Sequence, residues 1–350
     1  MIPGQAPMPH TPAPAEPLTL AELTAGRPVR LAVLSNPGSG RNRETAGARI
    51  SELLAAHPHV AHERGACPAE IAAALHRLAR SDPRVLVING GDGTVAAALG
   101  ALFNESPFPR PPLLALLAGG TTNMTAADAG MKGGAVRALA RLLRWSQAVD
   151  PGVDTVRRPV LRVRPGTGQP ELYGMFFGAG AIIKGIEYCQ QRILRRGLRD
   201  GIGPGLCLLR ILYAWLRGDH QDMAPVPLQA ETRPPLESPP VERDYFILLA
   251  STLERLFLGM RPYWGEGDSG LHFSAIGARP RRFLRSLPGL LRGRPGSHVN
   301  PENGYWSGRV ESLSLALDGT FTIDGELYPA HRERGPLQIS RTPALTFLRF

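Results

Sequence analysis

The sequence predicts two domains, an α/β unit on a parallel sheet over residues 29–150 and a mostly antiparallel β unit over residues 151–350. Three observations carry this. In the first span, apolar runs of strand length alternate with amphipathic helical patterns, as in a parallel sheet covered on both faces. Past residue 150 the helical patterns give way to a series of short strand-like runs. The length, 350 residues, exceeds that of one typical domain.

Residues 1–28 are rich in Pro and Ala and predict a tail without fixed structure. Residues 29–34 of "VRLAVLSNPGSG" read as a buried strand that ends in a turn of Asn, Pro and Gly. A helix is expected over residues 44–56, with Ile50, Leu53 and Leu54 at helical spacing. Next come the helix "AEIAAALHRLARSD", strand "RVLVI", helix "VAAALGALF", strand "LLALLA" and helix "GAVRALARLLRW". In the second domain the strand-like runs are "PVLRVRP", "ELYGMFFGAG", "YFILLAS", "GLHFSAI", "RVESLSLAL" and "GTFTIDGE". Insertions fall near residues 190–242 and 279–300. The first holds basic helical turns and the apolar "LCLLRILYAWL", then a proline-rich polar stretch at 222–242 that reads as a surface loop.

The net charge of +10 invites an anionic partner. Lysine occurs only at Lys132 and Lys184, so the charge is almost all arginine, in a chain also rich in Ala, Gly and Pro. No RNP-like aromatic set, zinc finger or helix-turn-helix supports nucleic acid. Three scattered cysteines, Cys67, Cys189 and Cys207, offer neither a disulfide framework nor a zinc site. The opening residues do not read as a signal peptide, and no apolar run reaches membrane-spanning length. A cytoplasmic protein is expected. Residues 279–294, "RPRRFLRSLPGLLRGR", mix Arg with Phe and Leu and suit peripheral contact with the anionic inner face of a membrane.

Ligands of an open parallel sheet sit beyond the carboxyl ends of its strands. Three glycine-bearing turns fall there: Asn36, Pro37, Gly38, Ser39 and Gly40; Gly90, Gly91, Asp92, Gly93 and Thr94; and Gly119, Gly120, Thr121 and Asn123. Each places backbone N–H groups beside a helix start, where the dipole favours anions, and Thr94 and Thr122 are N-cap candidates. Asp92 would repel phosphate unless a cation lies between them, which points to Mg²⁺ held with a nucleotide. No P-loop pattern occurs. A G-x-G-x-x-G at Gly265, Gly267 and Gly270 lacks the preceding strand and following helix of a dinucleotide site.

"GGDGT" resembles the nucleotide-binding motif of diacylglycerol, sphingosine and NAD kinases and of phosphofructokinases. "NPGSG", "LLAGGTTN" and "TIDGELYP" narrow the resemblance to the diacylglycerol kinase catalytic family, matching its motifs in order. The resemblance implies an ATP-binding α/β domain of the NAD kinase and phosphofructokinase type and a β-sandwich C-terminal domain. It also implies Mg²⁺-dependent phosphoryl transfer from ATP to a lipid hydroxyl, diacylglycerol-like or sphingoid-like, in the cleft between them. Asp92 would serve the ATP-bound metal, and Asp324 or Glu326 would take the acceptor's proton. Asp318 reads as hairpin turn chemistry. The sequence departs from the family at Ala96, Ala97, Ala118 and Met124. Ser269 replaces a family metal ligand, which leaves Asp268 as its nearest substitute. An NAD kinase-like small-molecule kinase and a nucleotide-binding homologue without catalysis are the alternatives.

Overall fold

A computed structural model describes residues 18–19, 22–23, 28–40, 42, 46–148, 153–187, 226–236, 242–267 and 270–349. The N-terminal domain runs β1 (Leu31–Ser35), α1 (Gly47–Ala55), β2 (Ala61–Arg64), α2 (Pro68–Ala79), β3 (Val85–Gly90), α3 (Asp92–Asn104), β4 (Leu113–Ala118), α4 (Met124–Ala129) and α5 (Ala135–Gln147). Its sheet has the order β2-β1-β3-β4-β17-β5, where β5 is Asp154–Arg158 and β17 is Leu345–Arg349. Neighbours from β2 to β17 are parallel, and β5 closes the edge antiparallel.

The period-2 alternation of a strand decides how the sheet is covered. Ala32, Leu34, Leu86, Ile88, Leu114 and Leu116 face α2 and α3, while Leu31, Val33, Val85, Val87, Leu113, Ala115 and Leu117 face α1 and α5. Every one of these side chains is buried, which is why the strands read as unbroken apolar runs. Two strands come from beyond residue 150. β17 lies between β4 and β5 and buries Phe347 and Leu348 completely.

The second sheet contains eleven strands: β6 (Leu161–Arg164), β7 (Leu172–Gly174), β8 (Phe176–Gly180), β9 (Val226–Arg233), β10 (Glu242–Ser251), β11 (Leu271–Gly277), β12 (Tyr305–Val310), β13 (Ser312–Leu317), β14 (Gly319–Ile323), β15 (Glu326–Ala330) and β16 (Leu337–Arg341). All its pairings are antiparallel. It branches at β10, which pairs β11 as well as β8 and β9. Side chains from all eleven strands meet in or against one core, so the sheet folds over itself as a sandwich does. A helix, α6 (Phe283–Leu291), lies between β11 and β12 in sequence. No described helix is long and apolar enough to cross a membrane.

Two local expectations change. Within the presumed loop at 222–242, residues Val226–Arg233 form β9, paired with β10 and β13; only Leu228 is fully buried, so the strand carries a weak apolar signature. Asp318 lies outside any hairpin, because β13 and β14 have different partners; it accepts the Arg332 N–H at 2.8 Å. As expected, no helix follows the G-x-G-x-x-G motif: Gly265 is pressed on Gly308, and β11 begins directly after Gly270. The apolar stretch at 206–216 lies outside the described residues.

The core on the α2–α3 face of the parallel sheet continues into the second domain: Val95, Ala98 and Met124 of the first meet Tyr173, Met175, Leu253, Leu256 and Tyr263 of the second. Phe347→Ala should lower unfolding free energy by about 3–5 kcal/mol, through lost burial and the cavity left in the sheet. Denaturant unfolding checks this, and a loss below about 1 kcal/mol would show that β17 does not hold the sheet together.

Candidate active site at the domain junction

The parallel register aligns Ser35 with Asn89, and Gly90 with Ala118, so the turns after β1, β3 and β4 leave the same edge of the sheet. They pack against one another. A Cβ built on Gly120 would lie 2.4 Å from Gly91 Cα, and one on Gly40 would lie 2.9 Å from Thr121 Oγ1. One on Gly90 would fall 2.5 Å from the Thr94 side chain, and one on Gly119 would fall 2.8 Å from Asn89 Oδ1. Glycine is required here by close approach.

Polar contacts fix the cluster. The Gly38 N–H donates to Asn36 Oδ1 at 2.7 Å, and Asn36 Nδ2 donates to Thr94 Oγ1 at 2.9 Å. The Gly91 N–H donates to Ser39 Oγ at 3.2 Å. Asn123 closes the third turn on itself: its Oδ1 accepts the Gly120 N–H at 2.7 Å and its Nδ2 donates to the Gly120 carbonyl at 2.6 Å. Pro37 is exposed at the tip of the first turn. The cap assignments differ from expectation. Gly91 caps α3, Thr94 sits inside the helix, and Asn123, in left-handed backbone at φ 49°, precedes α4 in place of Thr122.

Asp92 is 9% exposed and has a structural occupation. Its two oxygens accept the N–H groups of Thr125 at 2.9 Å and Met124 at 3.0 Å, tying the start of α3 to that of α4. Burial still raises its pKa above the ordinary aspartate value of 3.8, against the opposing pull of those amides.

The second domain supplies the facing group. Asp324 and Gly325 form the two-residue turn of the β14–β15 hairpin, with φ of 49° and 93°, the positive values of a type I′ turn. The Asp324 side chain nonetheless points inward, 8% exposed, and accepts the Met175 N–H at 3.0 Å and the Phe176 N–H at 2.9 Å. Burial first, and then the charge of Asp92, raise its pKa well above 3.8. Glu326, exposed on the same hairpin, stands beside Gly93: a Cβ there would lie 3.0 Å from its Oε1. Motifs more than 230 residues apart in sequence therefore meet at one point. Asp268 lies outside the described residues.

Two site residues escape motif reasoning. The Asn42 Nδ2 donates to the carbonyls of Asn36 at 2.9 Å and Asn89 at 3.3 Å, and the buried Oδ1 atoms of Asn42 and Asn89 have no hydrogen-bond partner among the described residues. Asn89 carries a readable signal, a polar residue near the end of an apolar strand; Asn42 carries none.

Residues 30–153 match the sequence pattern of the diacylglycerol kinase catalytic domain. Among solved structures, a diacylglycerol kinase from Bacillus anthracis str. Sterne aligns with a TM-score of 0.57 at 15% identity, covering 91% of this chain and 96% of that one. A second structure from that organism, described as a candidate diacylglycerol kinase, aligns at 0.59 and 17% identity with the same coverages. Yeast NADH kinase complexed with NADH aligns at 0.49 and 9% identity over 93% of this chain and 84% of that one. No curated protein matches in sequence. At these identities the two Bacillus anthracis structures establish a shared fold.

Two outcomes are expected. Gly120→Ala should destabilise by about 1–3 kcal/mol, since backbone faces the added methyl. Gly100→Ala, inside α3 with open space around it, should instead stabilise by about 0.5–1 kcal/mol; thermal unfolding compares them. The second outcome concerns pH. Asp92 and Asp324 hold protons to higher pH in the fold than in the unfolded chain, so their share of stability is complete below 3.8 and is lost as pH rises through the raised native values. Asp324→Asn should flatten the fall in Tm above pH 4; an unchanged slope would show that the group does not titrate there.

Proposed function

We propose that the protein is an ATP- and Mg²⁺-dependent kinase that transfers the γ-phosphoryl group to a lipid hydroxyl. The observation that carries this reading is the meeting of the Asp324 hairpin with the Asp92 turn, which sets two buried carboxyl groups beside a cradle of three glycine turns. The catalytic-domain match over residues 30–153 supports phosphoryl transfer as the reaction class.

The donor set fits one cation shared with a nucleotide. Asp92 and Asp324 each accept two backbone amides, and their carboxylates keep lone pairs beyond those bonds. Among the described residues no three His, Cys, Asp or Glu side chains gather as a complete metal cage. That suits Mg²⁺, which commonly takes one or two carboxylates and completes its shell with phosphate oxygens and water. When bound, the ion would neutralise phosphate charge, with Asp92 as its first protein ligand.

The first turn, residues 36–40, and the start of α3 hold the phosphates, with the Asp92 and Gly93 N–H groups preceding the first internal bond of that helix, from the Thr94 N–H to the Gly91 carbonyl. The acceptor oxygen attacks the γ-phosphorus in line, the bond to the β-phosphate oxygen breaks, and ADP leaves. Asp324 takes the hydroxyl proton. Its raised pKa suits a general base better than an ordinary carboxylate would. Glu326, beside Gly93, positions the hairpin over the nucleotide.

Purified protein with γ-labelled ATP and an extracted lipid pool should yield labelled lipid. Asp92→Asn and Asp324→Asn should each lower the rate about 100-fold or more, as expected when a metal ligand or general base is lost, and Glu326→Gln less. Label in NAD with none in lipid, or nucleotide binding with no transfer, would overturn the reading.

A further inference from the structure

The described residues expose two large apolar side chains, Leu258 at 75% and Leu284 at 38%. Both lie in one neighbourhood. Leu284 is on α6, whose Phe283, Ser286 and Leu290 are buried against Phe246, Ile276 and Tyr305. At 100° per residue the opposite face carries Leu284, Arg285, Pro288 and Arg292, all exposed. Leu258 tips a tight turn in left-handed backbone at φ 56°, closed by the Leu256 N–H on the Met260 carbonyl. Three residues later the Arg261 N–H donates to the Leu291 carbonyl at 2.8 Å, which holds that turn against the end of α6.

The surroundings are basic. Arg261, Arg281, Arg282, Arg285, Arg292 and Arg294 are exposed, and none forms an ion pair or side-chain hydrogen bond with a described residue. No Asp or Glu occurs from residue 269 to 301. A solvated surface helix would mix both signs of charge and keep leucine off its outer face. Two leucines raised within a field of unpaired guanidinium groups match the division of an anionic bilayer, headgroup phosphates outside and acyl chains beneath.

We infer that α6 and the turn bearing Leu258 form a docking surface for anionic lipid bilayers, with the arginines on headgroups and both leucines in the interface. A nucleic acid would use the charge but leave the leucines without a role. The inference stands on this surface and does not require the kinase reading, although it would supply that reaction with its lipid.

Vesicle flotation tests it with the full chain, on phosphatidylcholine vesicles with and without 30% phosphatidylglycerol. Binding is expected to the anionic vesicles only, and to weaken with salt. The triple variant Arg281→Ala, Arg285→Ala, Arg292→Ala should bind on the order of 100-fold more weakly, at about 1 kcal/mol per arginine. The corresponding triple lysine variant should stay within a few-fold of the parent. Leu258→Ser with Leu284→Ser should weaken binding several-fold at salt that leaves the parent bound. Circular dichroism checks that each variant is folded, and because vesicle binding is read without phosphoryl transfer, failure of the kinase reading leaves the result interpretable. Equal binding to neutral vesicles, no change in the alanine or serine variants, or displacement from vesicles by a short RNA duplex would overturn the inference.

Discussion

Burying a carboxyl group is costly unless amides or a counter-charge meet it, and this fold buries two beside each other. Asp92 takes the first amides of α4, and Asp324 takes those of Met175 and Phe176. Each carboxyl thereby splices two segments of its own domain: α3 to α4 in one, the β14–β15 hairpin to β8 in the other. Four amides reduce the desolvation cost, yet burial prevails, and both groups sit above the ordinary aspartate range. The charge of Asp92 adds to the rise that burial imposes on Asp324.

The glycines follow from the same geometry. Turns from three strands converge at one edge of the sheet, and at Gly91 and Gly120 they converge until backbone touches backbone. At Gly93 the close neighbour belongs to the other domain, Glu326 Oε1. The density of glycine along residues 90–93 thus records how near the second domain comes, which loop flexibility alone would not explain.

That steric origin is why so much of the site was legible in the sequence. Close approach demands glycine, and full burial of β1, β3 and β4 demands unbroken apolar runs, so both leave strong marks. Other features depend on distant partners and leave none. β9 is held by β10 and β13 with only Leu228 fully buried, and its proline and polar residues look like a loop. The amide acceptance by Asp92 spans 32 residues to Met124, so no local pattern announces it. Thr94 looked like a cap because threonine often is one, yet its hydroxyl is taken by Asn36, 58 residues away. Asp324 sits in the type I′ turn and still turns its carboxyl inward onto the Met175 and Phe176 amides, a pairing that no local pattern announces.

Chain topology then bears on how the cleft works. After β16 the chain leaves the second sheet and returns to the first as β17, between β4 and β5. The Asp324 hairpin is therefore tied on both sides: through β8 and the amides of Met175 and Phe176, and through the downstream chain that ends in the parallel sheet. The shared core of Val95, Met124, Met175, Leu253 and Tyr263 lies in the same junction. Swinging the domains apart would expose these apolar side chains. The two carboxyl groups are consequently held in place by the packing of both domains.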